Sequence, residues 1–501
     1  MTSKQVFWGK FTPSAVPSTH PLADHCLDVA ATILQLAPAR LPHLLLQHPP
    51  SGGSDCETLL NRLAVLAFLH DLGKCNWGFQ AKADPSARNT AGHVVEAVAL
   101  LQADQVRSQW PNVFRELLMQ MCRWFEDGEA QMFEMLIASI SHHGRPVSWR
   151  QDYQNAGGDD LARWWLPHQG LDPLAGLAEL AEAARRAFPK AFADDVPPMN
   201  ATPAVQRWFS GLVMLADWIG SDTQFFPYRA STEEDRLVFA SDAAQRALTA
   251  IGLSVPEPRE PKPFAGTFRF ATPTALQRLL GAELPPDDAT RLMLAESETG
   301  SGKTEAAVGW FLRLYAAGRV DGLYFALPTR VAARELYWRV LSAIEQAFPD
   351  SSTRPGPVLL AVPGYVRADG EPILPVPDRV LWDDDARSRQ RERLWAAERP
   401  KRFLAAPIAV GTVDQALLSV LQVKHALMRS VCLDRHLLVV DEVHASDTYM
   451  RELLQALLRC TRHVTAGRCS CRPRWASPRV RPTSAEINCL SWTLRTGLTP
   501  R

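Results

Sequence analysis

The stretch SVPEPREPKPFAG, Ser254 to Gly266, most limits how this chain can fold. Each of its four prolines lacks a backbone N–H, so neither a helix interior nor a central strand runs through it. Its alternating charge suits an extended linker over residues 254–266. The apolar pattern differs on its two sides. Before it, TLLNRLAVLAFLHDLGK, ELLMQMCRWFEDGEAQMFEMLIASI and AVQRWFSGLVMLADWIGSD carry apolar residues at three- and four-residue spacing, which predicts an all-α domain over residues 1–253. After it, the short apolar runs LMLAE, LYFAL, APIAVG and HLLVVDE alternate with helical segments, which predicts an α/β lobe on a parallel sheet over residues 267–460. The Pro-rich piece from Ser351 to Pro377 reads as an insertion or surface loop. The fold class is therefore multidomain, with a short irregular tail over residues 461–501.

Composition constrains partners little. Lys+Arg and Asp+Glu balance at 54 each, so nucleic-acid contact must come from local patches rather than a global basic field. The opening MTSKQVFWGKFTPSAV lacks the apolar core of a signal peptide, and no stretch reaches the roughly 18 apolar residues of a membrane span. A cytoplasmic chain without membrane contact is the expectation. The nine cysteines form no CxxC pair, which argues against a zinc knuckle or a disulfide framework.

SETGSGKTEAA, Ser297 to Ala307, follows the strand LMLAE and precedes a helix. In a phosphate loop Thr299, Gly300, Ser301 and Gly302 turn backbone N–H groups onto phosphate oxygens, Lys303 reaches the terminal phosphates, and Thr304 holds magnesium. Ser297 stands where the usual pattern opens with glycine. LLVVDEVHASD supplies the complementary carboxylates: Asp441 would hold the magnesium of Mg-ATP through water, and Glu442 would position and deprotonate the attacking water.

The helical half holds a second chemical signature. LAFLHDLGK sets His70 beside Asp71, with Lys74 one turn on and Gly73 between them; His25, His93, the pair His142 and His143, and Asp217 lie in other helical contexts. Five imidazoles and two carboxylates can close on two divalent transition metals, which imidazole prefers over magnesium. A metal pair about 3.5 to 4 Å apart activates water and stabilises the leaving oxygen of a phosphodiester. For His93 a capping or core role is the alternative.

DEVH resembles the superfamily 2 helicases, whose motors are built from RecA-like lobes, and other stretches resemble the same family in the same order. TPTALQ ends in Gln277, similar to the adenine-reading glutamine. ALPTR, with Thr329 and Arg330, and VGTVDQALL, with Gly411 and Thr412, look like the motifs that grip the backbone of single-stranded DNA. The order H, HD, H, HH, D resembles the two-metal nuclease form of the HD phosphohydrolases. The two halves together are similar to the CRISPR-associated nuclease-helicases of type I systems, subtype E in particular, over roughly residues 1 to 460.

The resemblance implies that His25, His70, Asp71 and Asp217 serve one metal and Asp71, His93, His142 and His143 the other, the metals being manganese, cobalt, nickel or iron. Lys74 would face the scissile phosphate. It also implies recruitment by a Cascade-type surveillance complex carrying guide RNA, nicking of the displaced strand, and ATP-driven reeling of that strand into the HD site.

Beyond Leu458 the chain departs from that family. Where the family shows a buried strand ending in Ser-Ala-Thr, this sequence reads RCSCRPRW, within a tail rich in arginine and cysteine. A change of reading frame between about Leu458 and Gly467 is expected, or else a split gene with the second RecA-like lobe on a separate chain. Because ATP binds between two lobes, the second supplying an arginine finger, ATP is expected to bind weakly and processive unwinding to be absent while the HD nuclease persists. The alternatives are an inactive remnant that binds ATP or DNA, and an HD phosphohydrolase regulated by nucleotide.

Overall fold

The computed structural model describes residues 6–12, 18–38, 53–148, 151–193, 196–228, 236–254, 257, 259–270, 272–287, 292–298, 300–373, 400–442, 448–461 and 468–472. These form two compact units. The first comprises Met1–Ala247 with Val423–Met428, and the second Leu248–Gln422 with Arg429–Arg501.

The first unit is helical, and its long helices Leu22–Leu36, Gly53–Phe68, Gly128–Ile140 and Pro203–Gly220 each present an apolar face to a common core. Leu63, Leu66, Phe68, Leu136, Phe209 and Leu212 are among the residues fully withdrawn from water there. Ser139 ties two of these helices together, its hydroxyl donating to the Leu66 carbonyl at 2.7 Å. The all-α reading omitted one feature. Strands β1 (Trp8–Thr12) and β2 (Ser18–Pro21) pair antiparallel ahead of the first helix. Too short to show a period, they left no alternation in the sequence.

The helix Gly53–Phe68 runs into a tighter turn, Leu69–Cys75, within which Asp71 leaves helical geometry at φ −105° and ψ 16°. Asn76 then caps the next helix by accepting from the Phe79 N–H at 2.8 Å. The His-Asp pair thus sits on a break in the helix, entirely buried.

The second unit is an eight-stranded sheet in the order β3-β10-β9-β4-β8-β5-β6-β7. Its strands are β3 (Leu292–Glu296), β4 (Gly322–Leu327), β5 (Val358–Ala361), β6 (Arg367–Ala368), β7 (Glu371–Pro372), β8 (Ile408–Thr412), β9 (His436–Asp441) and β10 (Arg468–Arg472). The first six in spatial order run parallel, with β6 and β7 antiparallel at one edge. Strands β4, β5 and β8 are buried along their whole length, as expected where helices cover both faces. A core of Trp310, Phe311, Tyr315, Phe325, Tyr337 and Val439 fills the space between the sheet and the helices Lys303–Ala316 and Arg330–Ala347.

Three sequence expectations change. The stretch Ser351–Pro377 is not merely a loop, because VLLA within it is β5, paired in parallel with β8. Its flanking Pro357 and Pro363 disguise a four-residue buried strand as a turn-rich insertion. The end of the stretch read as an extended linker packs instead: Phe264 is buried against Gly281 and Gly309, and the Lys262 N–H donates to the Ala347 carbonyl. In the tail, Arg468–Arg472 is a strand held between β3 and β9 in unbroken parallel register. The ladder uses main-chain groups only, so a polar sequence can fill that place. The rest of the tail from residue 473, and the span 462–467 where a frame change was expected, lie outside the described residues. Among the described residues no helix is long and apolar enough to cross a membrane.

Candidate functional site

In the first unit the break at Asp71 aims both carboxylate oxygens into a ring of imidazoles. Oδ2 lies 3.3 Å from His25 Nε2 and 3.2 Å from His70 Nε2. Oδ1 lies 3.3 Å from His93 Nε2 and 3.4 Å from His142 Nε2. Asp217, from the helix Pro203–Gly220, closes the first side, its Oδ1 3.3 Å from His25 Nε2 and 3.8 Å from His70 Nε2. His143 closes the second, its Nε2 2.7 Å from that of His93. The structure brings all seven residues together in two groups sharing Asp71.

The rings are oriented from behind. His70 Nδ1 meets the Ala67 carbonyl at 2.8 Å and His142 Nδ1 the Ser139 carbonyl at 3.3 Å, which turns each Nε2 toward the centre. His93 depends on a close backbone approach. A Cβ at Gly73 would fall 1.7 Å from the His93 carbonyl oxygen, so only glycine allows the two segments to meet. Asn76 joins the same segments, its Nδ2 donating to the carbonyls of Gly73 at 2.7 Å and Gly92 at 2.8 Å.

The centre's protonation suits metal. Burial holds His25 down to about 4, with Lys10 adding to the effect, and burial likewise holds His143 down to about 4 and His93 well below the ordinary imidazole range. Burial would raise both carboxyls. Lys74 overcomes it at Asp71, and Lys10 at Asp217, so that each stays ionised well below its ordinary range. Neutral imidazoles and ionised carboxylates are the ligating forms.

His25 Nε2, His70 Nε2 and Asp71 Oδ1 are buried without a hydrogen-bond partner, a costly arrangement unless something else engages them. Two sets of donors, His25-His70-Asp71 and His93-His142-His143, each gather within 4.8 Å. The residues present therefore fit a pair of divalent ions. Lys74, expected to face a phosphate, turns inward: its Nζ lies 2.6 Å from Asp71 Oδ2 and donates to the Gly9 carbonyl at 2.9 Å.

In the second unit the predicted nucleotide and DNA motifs stand at the C-terminal ends of parallel strands, where α/β sheets bind ligands, except Gln277, which lies on the short helix Ala275–Arg278 ahead of β3. Gly300 and Gly302 adopt φ values of +80° and +77°, and Gly302 begins the helix carrying Lys303 and Thr304. Lys303 Nζ folds back onto the carbonyls of Ser297 at 3.1 Å and Glu298 at 3.3 Å, and the Ser301 hydroxyl meets that of Ser297 at 2.7 Å. Gln277 is occupied close by: its Oε1 accepts from the Thr274 N–H and its Nε2 lies 3.5 Å from the Gly302 carbonyl. Thr299 lies outside the described residues.

Asp441 ends β9, and Glu442 follows it with φ +52°, its N–H donating to Asp441 Oδ1 at 3.0 Å. Thr329 ends the loop after β4 and caps the helix that Arg330 opens, accepting from the Ala332 N–H at 3.1 Å. Gly411 and Thr412 end β8, level with Ala326 and Leu327 of β4. Part of their pattern is packing: the Tyr324 hydroxyl donates to the Thr412 carbonyl at 3.0 Å, and a Cβ at Gly411 would meet that hydroxyl at 2.4 Å.

Residues 8–226 match the family model described as Cas3, HD domain. The chain is 33% identical to the CRISPR-associated endonuclease/helicase Cas3 of Thermus thermophilus over 88% of its own length and 47% of that relative. Against the Escherichia coli K12 protein of the same description, identity is 27% over 91% of this chain and 52% of the relative. The crystal structure of T. fusca Cas3-ADP superposes with a TM-score of 0.63 at 27% identity, covering 93% of this chain and 49% of that one. The chain is thus similar to Cas3 proteins in both of its units, the HD match falling in the helical one. It spans about half the length of the curated Cas3 relatives it matches.

Sequence reading missed two parts of this centre. Asn76 and Lys10 stand beside it, Lys10 Nζ being 3.6 Å from Asp217 Oδ1. Asn76 follows the His-Asp motif closely and fits a helix cap, a legible signal. Lys10 had none, because a single lysine in a five-residue strand carries no pattern that sets it apart.

Proposed function

We propose that the protein is a metal-dependent nuclease of CRISPR defence that cuts single-stranded DNA at the HD centre, with a second unit that binds Mg-ATP and grips the strand. The observation that carries this reading is the single buried carboxylate of Asp71 shared by two imidazole groups. His25, His70, Asp71 and Asp217 would hold one ion and Asp71, His93, His142 and His143 the other. When bound, such a pair supplies an activated water and stabilises the leaving oxygen of a phosphodiester. The chain's own part is to keep His25, His93 and His143 neutral, to fix the Asp71 carboxylate between the two groups through Lys74, and to hold the site on its helices.

Manganese, cobalt, nickel and iron suit the imidazole-rich donor set better than magnesium. In the second unit Lys303, Thr304 and Asp441 would hold the nucleotide and its magnesium, Glu442 the attacking water, and Thr329, Arg330, Gly411 and Thr412 the DNA backbone. Recruitment to an opened duplex by a guide-RNA surveillance complex is the partnership the Cas3 relationship favours, and the cytoplasm its location.

Circular single-stranded DNA tests the reading. Purified protein with manganese, cobalt or nickel is expected to linearise and degrade it, with or without ATP, and Asp71→Ala to abolish cutting. Absence of cutting with every metal, or cutting that survives Asp71→Ala, would overturn it.

A further inference from the structure

The cation best placed to meet a substrate phosphate at the HD centre is not Lys74. Its ammonium is held by Asp71 Oδ2 at 2.6 Å and by the Gly9 carbonyl at 2.9 Å, and its side chain is 6% exposed. Lys10 is different. Its side chain is 27% exposed, and its nearest carboxylate oxygen, Asp217 Oδ1, stands 3.6 Å away, beyond hydrogen-bond length. That oxygen is the one facing His25 and His70, so Lys10 stands beside the ligand group while keeping part of its side chain in solvent.

The strand beneath Lys10 is fixed. Gln80 clamps Trp8, accepting from its N–H at 3.1 Å and donating to its carbonyl at 3.0 Å, and the same Nε2 donates to the Lys74 carbonyl at 2.8 Å. Gly9 lies flat on the first long helix, where a Cβ would be 3.0 Å from Leu22 Cα and 3.1 Å from His25 Cβ. Bracketed by these contacts, the backbone at residue 10 is positioned from the same residues that position the centre. A partly exposed lysine on a strand anchored in this way beside the Asp217 carboxylate is a preorganised anion contact.

We propose that Lys10 contacts the backbone phosphate of single-stranded DNA at the HD centre, while Lys74 acts inside the protein as the counter-ion that positions Asp71. This rests on the nuclease reading above, and its test separates the two.

The full chain, Lys10→Ala, Lys10→Arg and, as a neighbouring surface control, Lys82→Ala are compared in three measurements. These are bound manganese, affinity for a short phosphorothioate oligonucleotide at several salt concentrations, and cleavage kinetics on unmodified oligonucleotide. Lys10→Ala is expected to retain manganese, to bind about tenfold more weakly with a salt slope shallower by about 0.7, and to raise KM more than it lowers kcat. Lys10→Arg is expected to restore most of the affinity, and Lys82→Ala to match the unaltered chain. Unchanged affinity and KM in Lys10→Ala, or loss of manganese from it, would overturn the proposal. A chain that binds the oligonucleotide through Lys10 but cuts nothing would instead remove the nuclease reading and leave this contact standing.

Discussion

At the level of single residues, the burial that tunes the centre also makes the metal-free fold sensitive to acid. His25 titrates near 4 in the folded chain and near 6.5 when unfolded, because burial penalises its charged form. The unfolded state therefore binds the extra proton first. The stability tied to neutral His25 is complete above pH 6.5 and is lost progressively as pH falls toward 4, amounting to about 3 kcal/mol at most. His143 shifts in the same direction but is exposed, and solvent screens its share. Asp71 and Asp217, held low, add stability that is present above the ordinary carboxyl range and is lost only below it. In chelator, the denaturant midpoint is expected to fall steadily between pH 7 and 4. A midpoint flat across that window would show that His25 is not neutral and buried. At this scale much of the centre was legible. All seven ligand-type residues could be nominated, because His-Asp and His-His pairs at helix ends are rare enough to notice. Lys10 could not, since one lysine in a short strand looks like any solvated lysine.

At the level of elements, the helix break at Leu69–Cys75 is what allows one carboxylate to serve two groups, and Gly73 is its hinge against the segment bearing His93. Adding a methyl there forces the His93 backbone away and should empty the His93-His142-His143 group first, leaving His25, His70 and Asp217 in place. Gly73→Ala is expected to bind about half the manganese of the unaltered chain, with helical circular dichroism preserved. Full manganese content in a folded Gly73→Ala protein would contradict the backbone approach described. Apolar periodicity foretold the long helices and the strands β3, β4, β8 and β9, because burial on one or both faces writes itself into the sequence. It failed at β5, where Pro357 and Pro363 hide four buried residues, and at β10, whose register comes from main-chain pairing rather than from its side chains.

At the level of the whole molecule, each candidate site is built from the residues of one unit alone: His25 to Asp217 in the first, Gln277 to Glu442 in the second. Sites that share no residue should respond independently to substitution. Lys303→Ala removes the ammonium intended for the nucleotide phosphates and is expected to weaken ATP binding more than tenfold, as for loss of a charge-assisted contact worth about 1.5–3 kcal/mol. It should leave metal-dependent cutting of single-stranded DNA within about twofold of the unaltered chain. The converse variant, Asp71→Ala, should bind nucleotide normally while cutting nothing. Titrating a fluorescent ATP analogue and assaying circular single-stranded DNA on both variants completes the comparison. If Lys303→Ala lost nuclease activity at saturating manganese, the two sites would be energetically coupled, and the second unit would be part of the cutting machinery rather than a neighbour that feeds it.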